Sequence, residues 1–290
     1  MQKNGNPAAE DVGNIVSLEH VNITVPDQAM ATQFYVVGLG LTRDPYLMVG
    51  LENMWVNVGE EQFHLPTKEP QVVPGYIGLL VADLEGLKQR LERIAPKLSG
   101  TKFAWKAESD HVSVTCPWGN QFRCYAPSAE FGNTTLGLPY VEVLVRPGTA
   151  DGIAKFYRQV IGAPATVEGA KGSKTARVRV GRRQALVFRE TAKKQRPYDG
   201  HHVAVYVANF SGPYKWLKEK GHLMQDIAFH QYRFKNIVDP DSGELLCELE
   251  HEVRSLANPM YKRPLVNRNP AQSIRSYATG SDAYVPARAG

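Results

Sequence analysis

The chain holds little cysteine and no long apolar run. Its three cysteines, Cys116, Cys124 and Cys247, form no CxxC pair. That spacing argues against a thiolate metal site and against a disulfide framework, and free thiols in a reducing compartment are the simplest reading. No apolar stretch approaches the roughly 20 residues that span a bilayer. The opening residues, MQKNGNPAAEDVGN, lack the apolar segment of a secretion signal. The P-loop, the dinucleotide-binding glycine fingerprint and the GxSxG nucleophile elbow are missing too. The runs VVGLGL and GAKGS are read as a helix end and a loop. These absences lead to the expectation of a soluble, cytoplasmic protein without a nucleotide cofactor.

Charge is unevenly spread. The net charge is +5. From Val253 onward there are six basic residues (Arg254, Lys262, Arg263, Arg268, Arg275, Arg288) and one acidic residue, Asp282. The rest of the chain is therefore neutral, and the basic end is expected to be a solvated tail rather than a nucleic-acid surface. A hydrophobic content of 43% over 290 residues suffices for a sizeable core or two.

What is present is a repeat. LEHVNITV (18–25), PGYIGLLV (74–81), LPYVEVLV (138–145) and GHHVAVYV (200–207) each alternate an apolar face with a more polar one. Aligned, His20, Tyr76, Tyr140 and His202 are equivalent, at separations of 56, 64 and 62 residues. A repeat of that size is one structural unit used four times. Each copy reads as a strand, a helix and about three further strands. In the first, strands are expected over 46–50, 53–58 and 61–65. In the second, Asp83 caps a helix in DLEGLKQRLERI, and strands follow near 102–106, 111–116 and 120–125. In the fourth, strands are expected over 233–238 and 244–250, joined by the turn Asp239 to Gly243, which lacks the ligands of a calcium loop.

The units come in two kinds. The first and third share FYxxx[LI]G (Phe34-Tyr35…Leu39-Gly40 and Phe156-Tyr157…Ile161-Gly162). The second and fourth share VA[DN] after the first strand (Val81-Ala82-Asp83 and Val207-Ala208-Asn209). The fold class expected is α+β, with four βαβββ modules forming two half-open, barrel-like domains. By chain position these are an N-terminal tail (1–16), modules one and two (17–127), modules three and four (138–252) and a basic C-terminal tail (253–290).

Four βαβββ units with these helix and turn motifs resemble the vicinal oxygen chelate superfamily, which includes glyoxalase I, extradiol dioxygenases, bleomycin and fosfomycin resistance proteins and methylmalonyl-CoA epimerase. The resemblance covers about 18–252. It implies paired modules curled around a cavity, with metal ligands on the first and last strands of the two modules that share it. Strand alternation supplies the inward residues. His20, Asn22 and Thr24 face inward on the first strand, and Gln62 and His64 on the last strand of module one. His202, Ala204 and Tyr206 face inward in module four, with His201 turned the other way. On the last strand Leu246, Glu248 and Glu250 look inward. The ligand positions implied by the resemblance thus hold His20, His64, His202 and Glu248, with Glu250 as a spare; strict turn-length alignment lands instead on Cys247. Module two offers only Tyr76 and Arg123, with Tyr125 beyond. Module three offers Tyr140, Glu142 and an apolar residue of ALVF.

Two pairings are open. If module one pairs with two and three with four, the ligands split into half-sites. If one pairs with four and two with three, all four meet, and this is the favoured arrangement. Three imidazoles and a carboxylate suit one divalent ion: Fe, Zn, Ni, Co or Mn. The resemblance then implies a small oxygenated metabolite as substrate and isomerase, lyase or epimerase chemistry, with Glu248 or Tyr206 as the catalytic base. An Fe(II) extradiol dioxygenase, with His20, His202 and Glu248 as its triad, is the alternative enzyme. A metal-free protein that sequesters a small molecule is the other. Asn22, Trp55 and Asn57 line the cavity or pack the sheet, His222 and His230 are assigned to solvent, and the chain is expected as a monomer or homodimer that binds neither nucleic acid nor membrane.

Overall fold

The computed structural model describes residues 10–44, 52–132 and 134–263. The strand expected over 46–50, and the tail beyond Arg263, lie outside the described residues. Module one comprises β1 (Ile15–Asn22), α1 (Gln28–Ala31), β2 (Thr42–Arg43), β3 (Asn53–Val58) and β4 (Glu61–Pro66). Module two comprises β5 (Gly75–Leu80), α2 (Leu84–Ile94), β6 (Ala104–Ala107), β7 (Val112–Thr115) and β8 (Gln121–Tyr125). Module three follows with β9 (Tyr140–Val145), α3 (Ala150–Phe156), β10 (Ala165–Glu168), β11 (Thr175–Arg179) and β12 (Ala185–Glu190). Module four has β13 (His202–Val207), α4 (Ser211–Glu219), β14 (Leu223–Ala228), β15 (Gln231–Val238) and β16 (Leu245–Ser255).

The strands form two eight-stranded sheets. Sheet one has the order β14-β15-β16-β13-β1-β4-β3-β2, and sheet two the order β10-β11-β12-β9-β5-β8-β7-β6. Module one is therefore joined to module four through the antiparallel pair β1–β13, and module two to module three through β5–β9. The ranges 17–127 and 138–252 describe the duplication of the sequence; the sheets are built across them.

Local chemistry accounts for the helices. Asp83 caps α2 by accepting from Gly86 N at 2.8 Å, and Asp27 caps α1 by accepting from Met30 N at 2.9 Å. In modules one and three the helix continues as a π-helical stretch, Thr32–Gly38 and Tyr157–Ile161. The FYxxx[LI]G motif runs through these stretches. Phe34, Tyr35, Phe156 and Tyr157 are all fully buried there. The helices pack on the sheet faces carrying Val21, Ile23, Phe63, Val203 and Val205, all buried. The opposite face of each sheet is left for polar side chains. No described helix is long and apolar enough to cross a membrane.

Module four departs from its expected boundaries in one way that matters. β16 continues for 11 residues, to Ser255, instead of ending at Glu250. It remains paired to β13 as far as Val207↔Ser255. Arg254 and Arg263, counted above in a solvated tail, are 5% and 7% exposed. Arg263 lies 2.5 Å from the buried Asp44, across the inward face of sheet one.

Candidate metal centre

The inward face of sheet one gathers three histidines. The antiparallel register places His20 opposite Ala204 and Asn22 opposite His202, so the two equivalent histidines lie on neighbouring strands, offset by one inward position. The ring of His20 is 5.7 Å from that of His202 and 5.7 Å from that of His64. His201 faces away, as alternation requires, and its Nδ1 sits 2.6 Å from Asp199.

Glu248 is not with them. Its carboxylate lies on the inward side of β16 but pairs with Lys235 at 2.6 Å and is 31% exposed. The carboxylate that joins His20 and His202 is Glu252, and the donor atoms of these three residues all lie within 4.8 Å of one another. The register explains the choice. In the parallel pair β1–β4, His64 lies beside Asn22, two residues beyond His20. In the parallel pair β13–β16, Glu252 lies beside Ala204, two residues beyond His202. Glu252 is thus the module-four equivalent of His64. Alternation assigns the correct face, since 248, 250, 252 and 254 share it. Ending the strand at Glu250 leaves Glu248 as the best carboxylate and stops short of Glu252. The signal available in the sequence was the continuing alternation through Glu250, Glu252 and Arg254.

Tyr206 is inward-facing as expected, yet it lies deep in the cup. Its hydroxyl is 3.4 Å from Arg254 Nη1, its ring packs on Tyr261 at 4.9 Å, and burial pushes its phenol well above the ordinary value. It is a poor base there. Trp55 lines the cup and stacks on His64, with ring centroids 3.9 Å apart and planes 14° from parallel. Asn57 receives a hydrogen bond from Gln62 Nε2 at 2.5 Å. His222 is half-buried against Trp216, and His230 is exposed.

The electrostatics favour neutral rings at His64 and His202 and an ionised carboxylate at Glu252. Burial holds His64 and His202 well below the usual imidazole value, and the neighbouring His20 pushes each further down. For Glu252, burial works upward, but Arg254, His20 and Arg233 together outweigh it and hold the carboxyl below its usual range. Arg254 Nη2 sits 2.5 Å from one Glu252 oxygen, and Arg233 pairs with the other.

The donor set fits a metal ion. The Nε2 atoms of His20, His64 and His202 are all buried, and none has a hydrogen-bond partner among the described residues. A buried polar atom without a partner calls for an explanation, and here three of them sit on neighbouring strands of one face. His20 and His202 bring donor atoms within 4.8 Å of one another and of Glu252, with the His64 ring 5.7 Å from that of His20, and one cation that accepts these lone pairs would satisfy the group.

The corresponding face of sheet two is filled instead. By the same register rule the positions of His20, His64, His202 and Glu252 are taken by Tyr76, Arg123, Tyr140 and Val187. The Arg123 guanidinium lies 3.7 Å over the Tyr76 ring, and Tyr140 and Tyr125 hydroxyls meet at 2.9 Å. Glu142 is paired with Arg189 at 2.8 Å. Gly78 makes room for this packing, since a Cβ there would lie 2.7 Å from the Tyr140 ring.

No family profile and no curated protein sequence matches the chain. Solved structures do. Glyoxalase I from Zea mays superposes with a TM-score of 0.59 at 14% identity, covering 83% of this chain and 93% of the maize chain. A Bacillus subtilis protein named as a candidate dioxygenase gives 0.55 at 12% identity, covering 91% and 90%. The cppA protein of Streptococcus pneumoniae gives 0.51 at 11% identity, covering 83% and 98%. Four βαβββ modules, joined first to fourth and second to third, give this chain the vicinal oxygen chelate fold.

Proposed function

We propose that the protein is a metal-dependent enzyme that acts on a small oxygenated metabolite, and that His20, His64, His202 and Glu252 hold one divalent ion. The observation that carries this reading is the set of three buried, unpartnered Nε2 atoms beside an ionised carboxylate. The likeness in fold to a glyoxalase I supports it. A divalent ion in such a site supplies Lewis acidity to two neighbouring ligand oxygens and stabilises negative charge that develops on them.

The chain's own residues do the rest. Glu19 fixes His20 so that the Nε2 lone pair is free to bind. Arg254 and Arg233 keep Glu252 ionised. Arg233, with its side chain 24% exposed, sits at the mouth of the cup. Charge counts here. Glu19, Glu250 and Glu252 oppose Arg233 and Arg254, so a divalent ion leaves the cup with one net positive charge, suited to an anionic oxygen ligand. Glu250 is held by one guanidinium only, at 2.6 Å, and lies 3.8 Å from His202 Nδ1. It is the carboxylate best placed to take a proton from a bound ligand, in the role expected from the resemblance for Glu248 or Tyr206.

A second reading rests on a specific observation. The tightest donor group is two imidazoles and one carboxylate, with His64 outside it, and that set suits Fe(II) oxygen chemistry. Metal analysis of protein purified without a histidine tag, with His64→Ala beside it, separates the two. Loss of metal in the variant supports four ligands; iron retained in the variant, with oxygen uptake on catechols, supports the dioxygenase. Methylglyoxal with glutathione tests the glyoxalase reaction itself. Protein that takes up no divalent ion at neutral pH leaves only the sequestering role.

A further inference from the structure

Glu19 and His20 are consecutive in β1, and in a regular strand they would face opposite sides of the sheet. They do not. The register against β13 shifts between Leu18 and His20, which leaves Glu19 as the extra residue of a β-bulge. Both side chains are buried, at 7% and 0% exposure, and Glu19 accepts from His20 Nδ1. The same Glu19 oxygen lies 3.1 Å from Arg254 Nη1. Arg254 then reaches Glu252 at 2.5 Å; Glu252 meets Arg233; and Arg233 meets Glu250 at 2.6 Å. Glu250 ends the series, 3.8 Å from His202 Nδ1. Five charges of alternating sign run from the back of one imidazole to the back of the other, with the carboxylate donor in the middle.

We propose that Glu19, delivered by this bulge, and Arg254, which clamps Glu19 to Glu252, are positioning residues for the ion. The proposal rests on the reading of the cluster as a metal centre. Glu19 sets the tautomer. With Nδ1–H donated to a carboxylate, His20 keeps its lone pair on Nε2, aimed at the cluster, and its basicity rises. Arg254 then ties the partner of one ligand to another ligand, so that neither His20 nor Glu252 turns without breaking a charge-assisted pair. A bulge interrupts the ladder at the centre of a sheet. It is explained here by the need to put a carboxylate and an imidazole from neighbouring residues on one face.

The test uses the full chain and cobalt(II) alone as the probe. Cobalt binding is followed by its visible spectrum, and affinity by competition with a chelator, for the wild type, Glu19→Gln and Arg254→Lys. The glutamine substitution keeps the shape and an acceptor but loses the charge; the lysine substitution keeps the charge but loses the bridging fork. Each variant is expected to bind about 10- to 100-fold more weakly, with an altered cobalt spectrum, while its metal-free circular dichroism matches the wild type. Wild-type affinity and spectrum in both variants would overturn the positioning role and leave the metal reading standing. A wild type that binds no cobalt overturns the metal reading, and this proposal with it. A measurement that needs no variant guards against misfolding: nitrogen NMR of the metal-free wild type is expected to show His20 protonated at Nδ1, and a proton on Nε2 instead refutes the tautomer argument.

Discussion

The two sheets share one fold and divide its uses. In sheet one the four equivalent positions carry donors, and the three imidazole Nε2 atoms among them find no partner among the described residues. In sheet two Arg123 stacks on Tyr76, the Tyr140 and Tyr125 hydroxyls pair, and Glu142 is held by Arg189 through one of its two oxygens. The inward face of such a sheet must either be filled or be given something to hold. Several unpartnered imidazoles gathered beside one carboxylate are the mark of the second solution, and a stacked tyrosine–arginine cluster the mark of the first.

That contrast can be broken most directly at the histidines. Either His20→Ala or His202→Ala is expected to abolish stoichiometric metal uptake, read by elemental analysis; full retention in either would mean that modules one and four do not share a centre. The carboxylates give the next largest effect. Glu252→Gln is expected to weaken cobalt binding by about 100-fold or more and Glu248→Gln by less than about threefold, and the reverse order would restore Glu248 as the ligand.

Acid should also tell the sheets apart. His251, on the core face of β16, donates from one ring nitrogen to Leu249 O, meets the Tyr157 hydroxyl at 2.7 Å and is held down to about 4 by burial. A histidine neutral in the folded state and protonated in the unfolded one favours unfolding as pH falls. Its contribution is complete above about 6.5, where both states are neutral, and declines as pH drops toward about 4. The loss from His251 alone is on the order of 3 kcal/mol. His64 and His202 act in the same direction, so metal-free sheet one should loosen before sheet two on acidification, followed by hydrogen exchange. Equal loosening would show that the buried histidines do not govern acid stability. The smallest effect belongs to sheet two. Tyr140→Phe removes its hydroxyl pairing with Tyr125, and should lower unfolding free energy by about 1 kcal/mol without changing cobalt affinity.

Most of this architecture could be read in the sequence because alternation and repetition are strong local signals. The four opening strands, the Asp83 cap and the shared face of His20, His64 and His202 all follow from periodicity. What could not be read depended on breaks in periodicity or on length. Glu19 is hidden because a bulge reverses its expected side. Glu252 is hidden because the extent of β16 is set by its pairing with β13 and β15, not by any local turn residue. Arg254 looks like part of a tail for the same reason, and is instead the end of a strand.

The nesting of the sheets sets the order in which their strands become available during synthesis. Every strand of sheet two falls between Gly75 and Glu190, whereas sheet one needs β1–β4 at one end and β13–β16 at the other. As the chain emerges, sheet two can close while β1 still waits for β13, which begins 180 residues after β1 ends at Asn22. Pairings at that separation are slow to form. The histidine cup therefore cannot close before β13 and β16 have been made, and Arg263, which pairs with Asp44, is made after both. A nascent chain stopped short of Glu252 can carry a finished second sheet and still lack the donor set for its ion.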